Sequence, residues 1–150
     1  MEYILNVDKE VGCLFCNAPE DSDEERFILK RGKHSFIMLN LFPYNPGHLM
    51  VAPYRHVAHF YDLNQEEITE IGEFVKLCEK ALSKEAQPEG FNIGINIGRV
   101  AGAGFDGHIH VHIVPRWSGD TNFMPVLGET KVIPEGIKAT YEKLKKYFED

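Results

Sequence analysis

His108-Ile109-His110-Val111-His112-Ile113-Val114-Pro115-Arg116 is the stretch on which the reading of this chain turns. It alternates as a β-strand does, with successive side chains leaving opposite faces. Ile109, Val111 and Ile113 share one face and can anchor the strand to a core. His108, His110 and His112 share the other, about 7 Å apart, two residues' rise each. Three of the chain's seven histidines thus stand in one row. A solvated polar face is the plain alternative, but imidazole is a poor choice for solvation. A three-histidine metal site is another, and a straight row converges badly on one ion. Neutral imidazole near pH 7 is a nucleophile, a proton carrier and a metal ligand. The row therefore marks a chemical site.

Directly upstream lies Gly98-Arg99-Val100-Ala101-Gly102-Ala103-Gly104-Phe105-Asp106-Gly107. Glycines let backbone N–H groups approach a phosphate closely. Such a loop is a weak signal alone and a stronger one at this position. Before it, Phe91, Ile93, Ile95 and Ile97 alternate with Asn92, Gly94 and Asn96, which predicts a half-buried strand. Further back, Asn64 and Glu67 form a capping box. Ile68, Ile71, Phe74, Val75, Cys78, Ala81 and Leu82 then recur at helical spacing to about Glu85. Pro88 and Gly90 close that helix.

Residues 27–30 and 35–42 read as strands joined by a hairpin at Arg31-Gly32-Lys33. Residues 43–47 read as a turn, and 48–53 as a third strand. The acidic residues 18–25 read as a surface loop. Pro134 starts a last helix, with Ile137, Tyr141, Leu144 and Phe148 on one face. The expectation is one α+β domain over residues 1–150, with a mainly antiparallel sheet and two main helices.

Composition narrows the function. The chain has 150 residues, 43% hydrophobic and 26% charged, enough for one core. Its formal charge of -7 argues against nucleic acid, which needs clustered Lys and Arg. A small anionic ligand needs only a few local donors. No apolar run approaches a membrane span, so no membrane partner is expected. Met1-Glu2-Tyr3-Ile4-Leu5-Asn6 lacks a basic start followed by an apolar stretch, so no secretory leader is expected. The three cysteines are an odd count, and Cys13 and Cys16 stand at metal spacing. Reduced thiols and a cytoplasmic location are the expectation.

The row His-φ-His-φ-His-φ-φ, with φ apolar, resembles the signature of the histidine triad (HIT) proteins. Asn40, Pro46-Gly47-His48, Asn96-Ile97-Gly98 and the glycine loop follow in that family's order, so the resemblance covers most of the chain. Residues 115–123, Pro-Arg-Trp-Ser-Gly-Asp-Thr-Asn-Phe, resemble the branch acting on diadenosine polyphosphates, phosphorylases included. The resemblance implies a five-stranded HIT-like fold and a homodimer joined across a helix. It implies a catalytic nucleophile at His110, its tautomer fixed by a backbone carbonyl. It places His112 at the phosphate, assisting the leaving group, and Asn40 at the ribose. Asn40 also reads as a turn-capping residue before Pro43. Asn96, Gly104 and Phe105 fall where the family contacts phosphate, but Ala103-Gly104-Phe105 replaces the commoner Gly-Gln-Ser or Gly-Gln-Thr. Backbone donors must do more there. The base is expected against Phe36, Met38 or Leu39.

Cys13-Leu14-Phe15-Cys16 supplies two thiolates toward a tetrahedral zinc, which needs two more ligands. Family members with this knuckle complete it with a histidine after the third strand and the first of the triad. His56 and His108 match, and His59 competes with His56. The zinc would be structural; an unmetallated reduced pair is the alternative. His34 and His48 read as structural or surface residues. Cys78 reads as core, and the acidic and basic residues of the long helix, Glu70 among them, as solvated. Trp117 flanks a second nucleotide moiety or simply packs. The functional reading is a nucleotidyl hydrolase or transferase acting on the α-phosphate of a dinucleoside polyphosphate or nucleotide. The alternatives are a phosphoramidase of the same family and a non-catalytic nucleotide-binding protein.

Overall fold

The structure is a computed structural model, and it describes residues 10–41, 46–102, 107–120 and 136–149. Gly104, Phe105, Pro134 and the turn residues 42–45 lie outside the described residues, as do 121–123 of the run after the triad.

Five strands form one antiparallel sheet: β1 Ile28–Arg31, β2 Ser35–Leu39, β3 Leu49–Pro53, β4 Gly90–Ile95 and β5 Val111–Arg116. Their order is β1-β2-β3-β5-β4. Among the described residues a short helix α1, Leu14–Asn17, and then α2, Asp23–Arg26, precede the sheet. The long helix α3, Gln65–Ala86, connects β3 to β4, and α4, Gly136–Lys145, follows the sheet. The α+β expectation and the five-stranded sheet hold.

Each face of the sheet has its own core. Ile37, Leu39, Leu49, Val51, Val111 and Ile113 face α3 and α4, meeting Phe74, Cys78, Leu82 and Tyr141. Phe36, Met38, Met50 and Ala52 face the other way and are covered by Leu14, Phe15 and Ala18. The period-2 alternation of β2 and β3 makes this division. Helix α3 begins at the expected box: Glu67 N donates to Asn64 Oδ1, and Asn64 N to Glu67 Oε1.

Several expectations are corrected. Residues 18–25 are not simply a loop, because Ser22 and Glu25 form a second capping box that starts α2. Strand β2 ends at Leu39 and not at Phe42. The strand expected from His108 begins its ladder at Val111, because Ile109 N donates to Val57 O, 2.7 Å, ahead of the pairing with β3. Glu70 is not a solvated helix residue. It accepts from Lys33 N, His34 N and Ser35 Oγ and so clasps the β1–β2 hairpin to α3.

Candidate active site and metal centre

The triad lies where β5 enters the sheet. His108 is buried at 1% exposure and His110 at 5%. Phe15, carried by α1, stacks on His110 with centroids 4.4 Å apart, and it tilts against His108 at 5.4 Å. The His110 and His112 rings meet edge to face at 4.7 Å. The three imidazoles thus share the sheet face that α1 covers.

His110 Nδ1 donates to its neighbour's backbone carbonyl, His108 O, at 2.9 Å. In neutral imidazole that leaves a lone pair on Nε2. Burial, and then the nearby His112, push the His110 pKa down to about 4, against the carbonyl's opposing pull. The ring is therefore neutral at pH 7, with Nε2 unprotonated. Burial likewise lowers His112.

His108 is held differently. Its Nε2 donates to Pro53 O at 2.7 Å, which turns the Nδ1 lone pair toward the thiols. That Nδ1 lies 3.2 Å from Cys13 Sγ, 3.5 Å from Cys16 Sγ and 3.3 Å from His56 Nδ1. Cys16 Sγ is 3.3 Å from His56 Nδ1, and the four ligand atoms lie within 4.8 Å of one another. A tetrahedron built on zinc bond lengths has N–N edges of about 3.3 Å and N–S edges of about 3.6 Å. Two thiols and two imidazoles at these separations can hold one metal ion. Burial and the adjacent Cys13 push the Cys16 thiol up to about 11, so a cation is what would make a thiolate of it at neutral pH. His59 stands apart, stacked on Tyr61 at 4.9 Å. Gly107 packs against this group, where an added Cβ would sit 3.2 Å from His56 Nε2.

Asn40 and His48 flank the turn between β2 and β3, and Asn40 N donates to His48 O. The Asn40 side chain contacts His48, whose other ring nitrogen reaches His112 Nδ1 at 2.9 Å. His48 is fully buried and so belongs to the triad's surroundings and not to the surface. Asn96 follows β4, one step past the Ile95–Val111 pair, which puts it on the His110 side.

Phe36 and Met38 are fully buried beneath α1, whereas Leu39 faces α3 and cannot share a wall with them. Trp117 lies past the far end of β5, roughly 20 Å along the strand from His110. A cavity of about 180 Å³ between α3 and the sheet, lined by Val51, Leu63, Ile71, Ile95, Val111 and others, is apolar and lies on the helix side.

Residues 22–119 match the profile of the HIT domain. The chain belongs to the HIT family. Over 126 residues it is 45% identical to the AP-4-A phosphorylase of Mycobacterium tuberculosis, covering 84% of this chain and 65% of that protein. The HIT chain therefore spans somewhat less than two thirds of that relative. It is 30% identical over 134 residues to an adenosine 5'-monophosphoramidase of Schizosaccharomyces pombe, covering 89% of this chain and 96% of that one. Among solved structures it resembles a Zn-bound histidine triad family protein from Mycobacterium smegmatis. The TM-score is 0.71 at 21% identity, with 91% and 93% of the two chains covered, a likeness of fold. No helix among the described residues is long and apolar enough to cross a membrane.

Proposed function

We propose that this HIT protein is a nucleotidyl hydrolase or transferase that uses His110 as a nucleophile on the α-phosphorus of a dinucleoside polyphosphate. The hydrogen bond from His110 Nδ1 to His108 O carries the reading, because it leaves the Nε2 lone pair for phosphorus. In the first step the Nε2–P bond forms, and the bond from phosphorus to the leaving polyphosphate oxygen breaks. In the second, water or inorganic phosphate attacks phosphorus and the P–N bond breaks. The product is a nucleoside monophosphate or diphosphate, and His110 returns neutral. His112 contacts the phosphate and the leaving group. Asn40 binds the ribose and Asn96 the phosphate, with Gly104 and Phe105 candidate phosphate contacts by their place in the sequence. The likeness to the mycobacterial phosphorylase supports a dinucleoside polyphosphate as substrate. The phosphoramidase reading rests on the nearly full-length likeness to the fission yeast enzyme.

Cys13, Cys16, His56 and His108 hold a zinc ion in this reading. The four ligands close the tetrahedron, so the ion supplies cross-linking and no substrate position. It ties α1, and with it Phe15, to the start of β5. The chain forms a homodimer, supported by β4 as a sheet edge with Ile93 and Ile97 exposed at 44% and 39%. A cytoplasmic location follows from the reduced thiols this site requires.

The test is incubation with diadenosine tetraphosphate, with and without inorganic phosphate. ADP formed only with phosphate identifies a phosphorylase, and AMP with ATP a hydrolase. A nucleotidyl adduct trapped by neutral quenching should map to His110. No turnover of this substrate, or an adduct elsewhere, overturns the reading.

A further inference from the structure

The partners of the two site histidines set them in opposite states. His110 gives its Nδ1 proton to a carbonyl, so its Nε2 carries a lone pair. His112 Nδ1 instead faces His48 Nε2 at 2.9 Å, and two imidazole nitrogens can share only one proton. Which nitrogen carries it is decided one residue further back. Asn40 presents its amide nitrogen, a donor only, to His48 Nδ1 at 3.3 Å. His48 Nδ1 is then an acceptor, and its single proton sits on Nε2. His48 Nε2–H donates to His112 Nδ1, and the proton of neutral His112 sits on its Nε2.

We propose that Asn40 and His48 are positioning residues that fix His112 as a neutral Nε2–H hydrogen-bond donor, which suits the site to phosphoanhydride substrates and against phosphoramidates. His48 is fully buried, and burial followed by the two triad imidazoles holds its pKa down at about 3, so the array stays uncharged. The proton balance gives the substrate class. If His112 released its Nε2 proton completely, His112 or His48 would be left an imidazolate. The array can therefore stabilise charge on a departing oxygen but cannot hand over a proton. A polyphosphate leaving group, with a terminal pKa of about 6, departs without one. An alkylamine, with a pKa of about 10, needs one before the P–N bond breaks. The second half of the proposal rests on the α-phosphoryl transfer proposed above.

Asn40→Asp tests it with almost no change of shape. A carboxylate accepts only, so His48 Nδ1 must become the donor and its Nε2 the acceptor. His112 then carries its proton on Nδ1, and the nearby negative charge favours a second, transferable proton on its ring. Histidine ¹⁵N NMR of the wild-type protein without nucleotide should show His112 protonated at Nε2 and His48 at Nε2. In Asn40→Asp both should move to Nδ1 or to the doubly protonated ring. Turnover is then compared between diadenosine tetraphosphate and an adenosine 5'-phosphoramidate of an alkylamine. Both carry the same ribose, so any ribose contact of Asn40 cancels in the ratio. The phosphoramidate-to-anhydride ratio should rise in Asn40→Asp by about a hundredfold or more, within the usual range for supplying a general acid. A wild-type His112 protonated at Nδ1 overturns the tautomer assignment. An unchanged ratio in a variant whose tautomers have switched overturns the link to substrate class. A wild-type protein that turns over neither compound refutes the proposed function, while the NMR result still decides the tautomers.

Discussion

Phe15 offers a test of how the Cys-x-x-Cys knuckle serves His110, the nucleophile proposed above. Its ring has no exposure, lies over Phe36 and Met38, and stacks on His110 at 4.4 Å and 30°. Phe15→Ala would lose buried area and leave a cavity, for a cost of about 3–5 kcal/mol. Against a total of about 5–15 kcal/mol that is a large share. At about 2–4 °C per kcal/mol for a chain this size, the melting temperature should fall by roughly 6–20 °C. Such a variant says little about catalysis, since everything loosens at once.

Phe15→Leu separates the effects. It keeps an apolar side chain and should cost less than about 1.5 kcal/mol in stability. It removes the flat face against His110, an aromatic contact worth about 0.5–1.5 kcal/mol. If that contact holds the imidazole in line, kcat on diadenosine tetraphosphate should fall about two- to tenfold, at 1.36 kcal/mol per tenfold. Phe36→Leu is the control: it is equally buried, but its ring stacks on Tyr54 and on no described histidine ring. It should lose comparable stability and keep its turnover. Equal kcat in the two variants, at matched thermal stability and metal content, would show that the ring only fills space.

Other outcomes follow from the same contacts. Purified protein should carry about one zinc per chain, and Cys16→Ser or chelation should lower the melting temperature, because the bound ion contributes to folding; metal analysis and calorimetry read both. Zinc should survive His59→Ala and be lost in His56→Ala. Asn40→Ala should weaken nucleotide binding by about 1 kcal/mol, the usual worth of a lost hydrogen bond, measurable by calorimetry. His48, with its pKa lowered from 6.5 to about 3, is neutral in the fold and takes up a proton on unfolding once the pH is below 6.5. Its contribution is complete above about pH 6.5 and declines as pH falls toward 3, by up to about 1.4 kcal/mol per unit. Urea unfolding at pH 7 and pH 5 should show this slope together with that of the buried His110 and His112, and His48→Gln should reduce it.

Much of this was legible because short periods leave plain marks. The alternation through β5 put the three histidines on one face, and Cys13 and Cys16 are three residues apart on one short turn. The same rule told against one expectation: Leu39 lies one position from Met38 and so faces the other core. Ser22 and Glu25 were a readable capping box inside an acidic run taken for loop. His48 and Glu70 were hidden for another reason. Both are assigned by partners far away in sequence, His112 next to the β3–β5 pairing and Ser35 at the β1–β2 hairpin under α3. No local pattern announces a register. Phe15 gave a faint signal as the large apolar residue between the two cysteines. Its place against His110 follows only once α1 folds over the sheet.

Three identical side chains in one row do different work because each commits a different ring atom to the protein. His108 commits Nε2–H to Pro53 O, which leaves Nδ1 as a ligand atom. His110 commits Nδ1–H to a carbonyl, which leaves a nucleophilic Nε2. His112 accepts at Nδ1 from His48 in the tautomer proposed here, which leaves Nε2–H as a donor. Two of these three commitments are to backbone oxygens, which no side-chain substitution removes directly. The third runs through His48 to the Asn40 amide, where one atom's change from nitrogen to oxygen reverses every proton position along it. The row is therefore fixed by main chain at its first two members and adjustable by side chain at its last. Within a family whose members bear the names of both phosphorylases and phosphoramidases, that last position is where, in the function proposed above, a change of leaving group is accommodated without disturbing His110.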